Sequence, residues 1–433
     1  MQKIQDNNKL YSKCFSKTRL FLRIDLRKKL RCVTAYERSS HKIHKYPAKM
    51  IHHIPYLFVN DDAVCSPEDT VLDVFCGSGT VLVESILASR NCIGADLNPL
   101  CCLISKVKTT SLTKKELDFA IRQLFKKLKV KANVHSRMLI PKFSNIDYWF
   151  TKNAQRSLAH IRWSIEDCDL SPALRDFFLV CFSSIIRRSS RADPRIGPPV
   201  FSKEMKKAIA RGRRVYPKKI FGETVRNNRD RILKFSSECP RNVSPHVLLQ
   251  DAKELSIRKE SIDLVITSPP YMNAQKYFRS TRLELFWLGL ISEGRFANLD
   301  SHAVGTDRIR RSEYSDLKET GIHEVDKIVE DIFEEHPLRA CIVSKFFSSL
   351  DQVIKEVYRV LKIDKYFILV IGNNMVRKRR FPSHKVAIEI AEKYGFSLAL
   401  AMVDKIKIRG LMTKRNETSG LIDSEWILVL RKG

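Results

Sequence analysis

The sequence predicts an α/β protein, a doubly wound and mostly parallel sheet interrupted by two inserts. Three stretches carry that expectation. Ile262 to Ile266 is an apolar run with the composition of a strand buried on both faces, and it ends in Thr267-Ser268-Pro269-Pro270-Tyr271. Thr70 to Val74 is a second short strand with an acid, Asp73, near its end. It runs through the turn Phe75-Cys76-Gly77-Ser78-Gly79-Thr80 into a helix reading from Val81 to Ala88. Asn91 to Asp96 is a third strand, again closed by an acid.

Each strand ends where an open α/β sheet places its ligands. A hydroxyl and a backbone carbonyl, both accepting from one NH2 beneath a stackable ring, form a receptor for the exocyclic amine of a base. Ser268, Pro269, Pro270 and Tyr271 supply those parts, because two prolines fix the backbone and carry no N–H. The plainer alternative is a proline-rich turn leaving a strand. The Gly77-x-Gly79 turn lets the backbone approach a ligand closely, and no Gly-Lys-Ser/Thr follows it, which argues against a phosphate-cradling loop. Asp96 is placed to bind both hydroxyls of a ribose, or else to cap the helix that Asn98-Pro99 opens.

These residues resemble a known family. Asp73-Val-Phe-Cys-Gly-Ser-Gly-Thr80 is similar to the first motif of the S-adenosylmethionine-dependent amino DNA methyltransferases. Thr267-Ser-Pro-Pro-Tyr271 resembles their catalytic motif in the form typical of N4-cytosine enzymes; adenine-N6 enzymes more often carry Asp or Asn before the prolines. His44-Lys-Tyr-Pro-Ala-Lys-Met50 is similar to the segment that closes over the methionine part of the cofactor, and Gln250-Asp-Ala252 to the acidic turn that meets the adenine amine. The resemblance implies a Rossmann-like seven-stranded methyltransferase sheet that binds S-adenosyl-L-methionine. It assigns Asp73, Phe75, Cys76, Gly77, Gly79 and Thr80 to the methionine side and Asp96 to the ribose. Leu97 packs on the adenine face, Asp251 meets its amine, and Tyr46, Pro47 and Lys49 close the methionine end. A surface lysine is the plainer reading of Lys49. Tyr271 is expected to stack on a flipped base, since the reacting amine is otherwise paired inside the duplex.

Charge points to the same partner. The 433-residue chain carries a formal net charge of +30. Residues 1–50 have 14 Lys/Arg against 3 acids, and residues 187–231 have 15 against 4. Clustering on that scale favours a polyanion through counterion release, so double-stranded DNA is the expected partner. Arg187, Arg188, Arg191, Arg211, Arg213, Arg214, Lys218 and Lys219 are the candidate DNA contacts. No run approaches 18 apolar residues, so no membrane span is expected. Eleven cysteines without a Cys-x-x-Cys pair argue for reduced thiols, with neither a disulfide framework nor a metal site. A prokaryotic cytoplasm, at the nucleoid, is the expected setting.

The divisions follow. Residues 1–40 form a basic extension with a strand-like alternation at Leu20, Leu22, Ile24 and Leu26, and residues 41–110 form the cofactor half. Residues 111–246 are a helical and basic insert, the candidate target-recognition region. Residues 247–291 hold the catalytic half, in which Tyr277 to Gly289 reads as one amphipathic helix. Residues 292–345 form a second insert, the alternative recognition region, and residues 346–433 complete the sheet. The larger insert precedes Asp251, which departs from the commonest layouts of the family.

The leading expectation is a site-specific DNA methyltransferase acting on the N4 amine of cytosine. The resemblance further implies a restriction endonuclease acting on the same site, and a monomer is expected. N6-adenine methylation is the alternative, followed by an RNA base methyltransferase and a catalytically silent DNA-binding regulator. Carbon-5 methylation would require a nucleophilic Cys after a Pro, and the chain has no Pro-Cys dipeptide.

Overall fold

The structure, a computed structural model, describes residues 21–30, 38–47, 49–131, 134–272, 277–315, 317, 319–406 and 424–433. Three strands appear where the sequence pattern places them, β2 (Thr70–Asp73), β3 (Asn91–Asp96) and β5 (Ile262–Thr267), and four more complete the core of the sheet: β4 (Pro245–Leu249), β6 (Leu361–Gly372), β9 (Phe396–Lys405) and β10 (Ser424–Lys432). The extension adds an eighth, β1 (Phe21–Ile24), parallel to β9, where the Leu22/Ile24 alternation predicts a strand. The order is β1-β9-β10-β6-β5-β2-β3-β4. Only β10 runs against its neighbours, with Trp426 opposite Val403 on one side and Ile371 on the other. A separate hairpin pairs β7 (Asn374–Val376) with β8 (Arg379–Phe381).

Alternation along each strand divides the interior between the two faces of the sheet. Val71, Leu264, Ile266, Ile368, Val370, Ile427 and Val429 belong to one buried cluster. Leu72, Val265, Phe367, Leu369, Ile371, Leu428 and Leu430 belong to the other. The second face is covered by the helices Pro337–Val360 and Ser383–Lys393. The long helix begins eight residues before the expected division at 345/346, so that division falls inside one continuous helix. Pro337 opens it from the first turn, where a missing N–H costs nothing.

The first face is covered by Thr80–Leu87, Pro99–Lys108 and the helices of the larger insert. That insert does not stand apart. Phe177, Phe178, Phe182, Ile185 and Ile186 of the helix Pro172–Ile186 are fully buried. Trp287, from the catalytic half, sits edge-on to Phe150 and Phe182 of the insert at 5.4 and 6.4 Å between ring centroids. The single helix expected over Tyr277 to Gly289 is two short ones, Tyr277–Ser280 and Arg282–Trp287. Thr281 separates them: its hydroxyl bonds back to the Tyr277 and Phe278 carbonyls and accepts from Asn98 Nδ2 at 3.2 Å. Leu283 to Trp287 are all buried, so this half of the expected amphipathic helix is core on every side.

Candidate active site

A solvent-open cleft lies at the carboxyl ends of β2, β3, β4 and β5. It brings together Tyr46, Lys49, Asp73, Phe75, Cys76, Gly77, Thr80, Asp96, Leu97, Asp251, Ser268 and Pro270, residues spread over more than 200 positions of sequence.

The turn after β2 is built by close approach. Gly79 ends it with φ of 74°, and a Cβ there would lie 2.9 Å from Ser105 Oγ and 3.1 Å from Ser105 Cα. Gly79 therefore seats the helix Pro99–Lys108 against the turn and does not itself line the cleft. Ser105 Oγ donates to the Gly77 carbonyl at 3.0 Å, and the buried Lys108 ammonium donates to the Ser78 carbonyl at 2.8 Å. The buried hydroxyls of Ser78 and Thr80 have no hydrogen-bond partner among the described residues, though both side the cleft. Two orphaned hydroxyls beside a glycine turn are what an absent polar ligand leaves behind. The residues present thus fit the methionine end of S-adenosylmethionine.

Asp73 accepts from Thr267 Oγ1 at 2.6 Å and from the Phe75 N–H at 3.1 Å, which locks the end of β2 to the end of β5. Burial pushes its carboxyl up to about 7. Asp96 accepts from the Gly77 N–H at 2.9 Å on one oxygen and from the Asn98 N–H at 2.8 Å on the other. The Cys101 side chain bonds the carboxylate as well, so of its about four acceptor positions roughly one stays open to a ribose hydroxyl. Burial raises Asp96 to about 6. Capping of the following helix falls to Asn98, whose Oδ1 accepts from the Leu100 N–H at 3.0 Å. Asp251 accepts from the Lys253 N–H at 3.0 Å, and Lys253 Nζ lies 3.3 Å from its other oxygen. Lys49, whose pKa burial lowers, donates to the His41 carbonyl at 3.4 Å.

The prolines and tyrosine divide. Ser268 and Pro270 face the cleft; Pro47, Pro269 and Tyr271 are not part of its lining. Tyr271 is half-buried and donates through its hydroxyl to Glu425 Oε1 of β10 at 2.9 Å. Burial and that carboxylate push the phenol pKa well above its ordinary value.

The basic candidates divide as well. Arg187 is turned inward: it donates to the Ile196 carbonyl at 2.8 Å, to those of Gly197 and Ser280, and lies 3.6 Å from Glu284. Arg191 holds the Asp147 and Tyr148 carbonyls, Arg213 those of Ser190 and Arg188, and Lys218 that of Leu128. Arg188, Arg211, Arg214 and Lys219 are exposed. Charge counting along the sequence cannot separate a guanidinium that braces a loop from one that faces solvent.

Several cleft residues escape the motif reading. Met50, Ser78 and Asn98 sit beside residues it names, so proximity alone was a usable signal. Phe278, Arg279, Asp300 and the stretch Ala303 to Asp307 come from the second insert and the segment before it, and no local pattern marks them. Gly305 holds a positive φ of 75°, and a Cβ there would lie 3.3 Å from the Tyr271 carbonyl and 3.4 Å from that of Pro270. The second insert is thus packed directly on the catalytic loop.

A family model described as DNA methylase, for N6 and N4 enzymes, matches residues 2–107. The type II methyltransferase M.MvaI of Kocuria varians is 27% identical over 429 residues, covering 92% of each chain. M.BsoBI of Geobacillus stearothermophilus, another type II methyltransferase, is 23% identical and covers 85% of this chain and 79% of its own. A solved SAM-dependent methyltransferase of Methanosarcina mazei aligns over 86% of this chain and 95% of its own at 10% identity, with a TM-score of 0.30. Among the described residues no helix is long and apolar enough to cross a membrane. The family model over residues 2–107 and the two type II relatives, matched along most of the chain, support an S-adenosylmethionine-dependent DNA amino-methyltransferase of the N4/N6 type.

Proposed function

We propose that the protein methylates the exocyclic N4 of cytosine in double-stranded DNA, at a specific site and after the target base has left the duplex. The observation that carries the reading is Ser268. A neutral hydroxyl stands at the cleft where an Asp or Asn is the commoner residue of adenine enzymes, and it shares that cleft with Asp73, Asp96 and Asp251.

Bound S-adenosylmethionine supplies a methyl group already activated on a sulfonium. The residues of this chain therefore have to hold and orient, and they need no covalent intermediate. Ser78, Thr80 and Lys49 receive the methionine end, Asp96 the ribose, Asp251 the adenine amine, and Leu97 packs on the adenine face. The base amine is a poor nucleophile because its lone pair is delocalised into the ring. Ser268 Oγ, which faces the cleft, accepts from one N–H and turns the lone pair out of conjugation; the Pro269 carbonyl, outside the cleft lining here, accepts from the other once the loop presents it to the entering base. The amine held by Ser268 would take the methyl that the sulfonium supplies, and its surplus proton would leave to water, because a serine hydroxyl is too weak a base to keep it. Tyr271 stacks on the base once its ring, tied here to Glu425 outside the cleft lining, turns inward. Resemblance to type II methyltransferases supports a role as the modification partner of a restriction endonuclease. The exposed Arg188, Arg211, Arg214 and Lys219 contact phosphates, and the enzyme acts as a monomer.

Nucleoside mass spectrometry of DNA from cells expressing the protein or its Ser268→Ala variant tests the reading. N4-methylcytosine is expected with the intact protein. The variant should show roughly a 100-fold lower rate, the usual cost of one preorganised polar partner at a reacting group. N6-methyladenine from the intact protein would keep the mechanism and reverse the choice of base.

A further inference from the structure

Arg279 lines the cleft from the helix Tyr277–Ser280, and neither cofactor binding nor methyl transfer uses it in the reading above. Its guanidinium is held from two sides. Nε donates to Asp300 Oδ2 at 3.2 Å, and Nη2 donates to Asp307 Oδ1. Arg308 Nε reaches the same Asp300 oxygen at 3.0 Å. Asp300 is only 6% exposed, so a side chain nearly out of solvent anchors both arginines. Two guanidinium groups and two carboxylates make a cluster of zero formal charge. Its Asp307 end continues from Gly305, which abuts the Pro270 and Tyr271 carbonyls. The cluster therefore lines the same cleft as Ser268 and Pro270.

On the basis of the cytosine reading, we propose that Arg279 is a specificity-determining residue that donates to the acceptor edge of the flipped target cytosine. The Watson–Crick edge of cytosine presents an amine, then the N3 acceptor, then the O2 acceptor. Ser268 and Pro269 take the amine. The two adjacent acceptors call for two donors in one plane, which a guanidinium provides and an ammonium does not. Adenine presents its amine, then one acceptor, then a C–H. It would leave one Arg279 donor unpaired after the base has displaced the water around it, a costly state. Asp300 and Asp307 fix the plane of the fork before the base arrives. A phosphate contact is the competing role for an arginine at this place. Phosphate binding draws on uncompensated positive charge, and this cluster has none.

The test uses the full chain, unmethylated genomic DNA and two variants, Arg279→Gln and Arg279→Lys. Lysine keeps a cation between Asp300 and Asp307 and so guards against a variant that merely fails to fold. Single-turnover methyl transfer, cofactor affinity and DNA affinity across a salt series are measured for each. Both variants should lose about 10- to 100-fold in transfer rate, the range of one bidentate base contact, with cofactor affinity and salt slope unchanged. A folded Arg279→Lys that transfers at the wild-type rate would overturn the assignment. So would a loss that arises through weaker DNA binding with a shallower salt slope, which marks a phosphate contact. The product of the wild-type protein is scored separately: N6-methyladenine there sinks the cytosine reading itself, whatever the variants do.

Discussion

Asp73 shows how one residue is tuned by its surroundings. It is 4% exposed, accepts from Thr267 Oγ1 and the Phe75 N–H, and is pushed by burial up to about 7. An acid raised in this way favours the folded state fully below the ordinary carboxylate range. That contribution is lost as the pH climbs from near ~4 through 7. Asp73→Asn has no such titration. In denaturant titrations without cofactor, the variant should therefore gain on the wild type by up to ~4 kcal/mol between pH 4 and pH 8. A stability difference that stays flat across that range would mean Asp73 is not held in its protonated form. Motif matching alone names Asp73 as a cofactor contact. The bond that ties it to Thr267, and so joins the first motif to the catalytic one, needs β2 and β5 side by side, with Val71 paired to Leu264.

At the scale of elements, the catalytic loop is shaped from outside itself. Gly305 lies beyond the motif by more than thirty residues, yet it packs on the Pro270 and Tyr271 carbonyls with φ of 75°. Gly305→Ala should move that backbone, because an L side chain in the left-handed region costs about 1 kcal/mol before any contact is counted. The expected outcome is a kcat at least roughly 10-fold lower with cofactor affinity unchanged, since sub-ångström misplacement of reacting groups is expensive. An unaltered kcat would show that the second insert does not position the loop. Strand composition makes elements readable: the strands expected at Thr70, Asn91 and Ile262 all form, and the alternation at Leu22 and Ile24 foretells β1. The break at Thr281 was not legible, because apolar spacing runs straight through it and the cause is a contact with Asn98, far away in sequence.

Across the whole molecule, the +30 charge is divided between structure and surface. Arg187 braces the Ile196, Gly197 and Ser280 carbonyls beside Glu284, so Arg187→Ala should cost on the order of 2–4 kcal/mol of stability and leave the salt slope of DNA binding intact. The combined variant Arg188→Ala, Arg211→Ala, Arg214→Ala and Lys219→Ala should do the reverse. Its log–log salt slope should fall by as much as ~3.6, about 0.9 for each phosphate that is no longer neutralised. Equal slopes in the two variants would refute this division. The larger insert cannot be treated as a detachable reader either, because Phe150 and Phe182 share a buried aromatic cluster with Trp287 of the catalytic half.

The sequence by itself determined the strands, the glycine turn, the acids that end β2 and β3, and the family to which they point. All of these depend on short-range rules: side-chain alternation, backbone freedom at glycine, and a rigid Ser-Pro-Pro-Tyr at a strand end. Only the tertiary structure decided which arginines face inward, that Gly79 serves packing, that Glu425 holds Tyr271, and that Arg279, Asp300 and Asp307 meet beside Ser268. These are contacts between segments far apart in the chain. Charge and hydrogen-bonding partners act through space, and no local pattern in the sequence encodes which distant carbonyl or carboxylate a side chain will find.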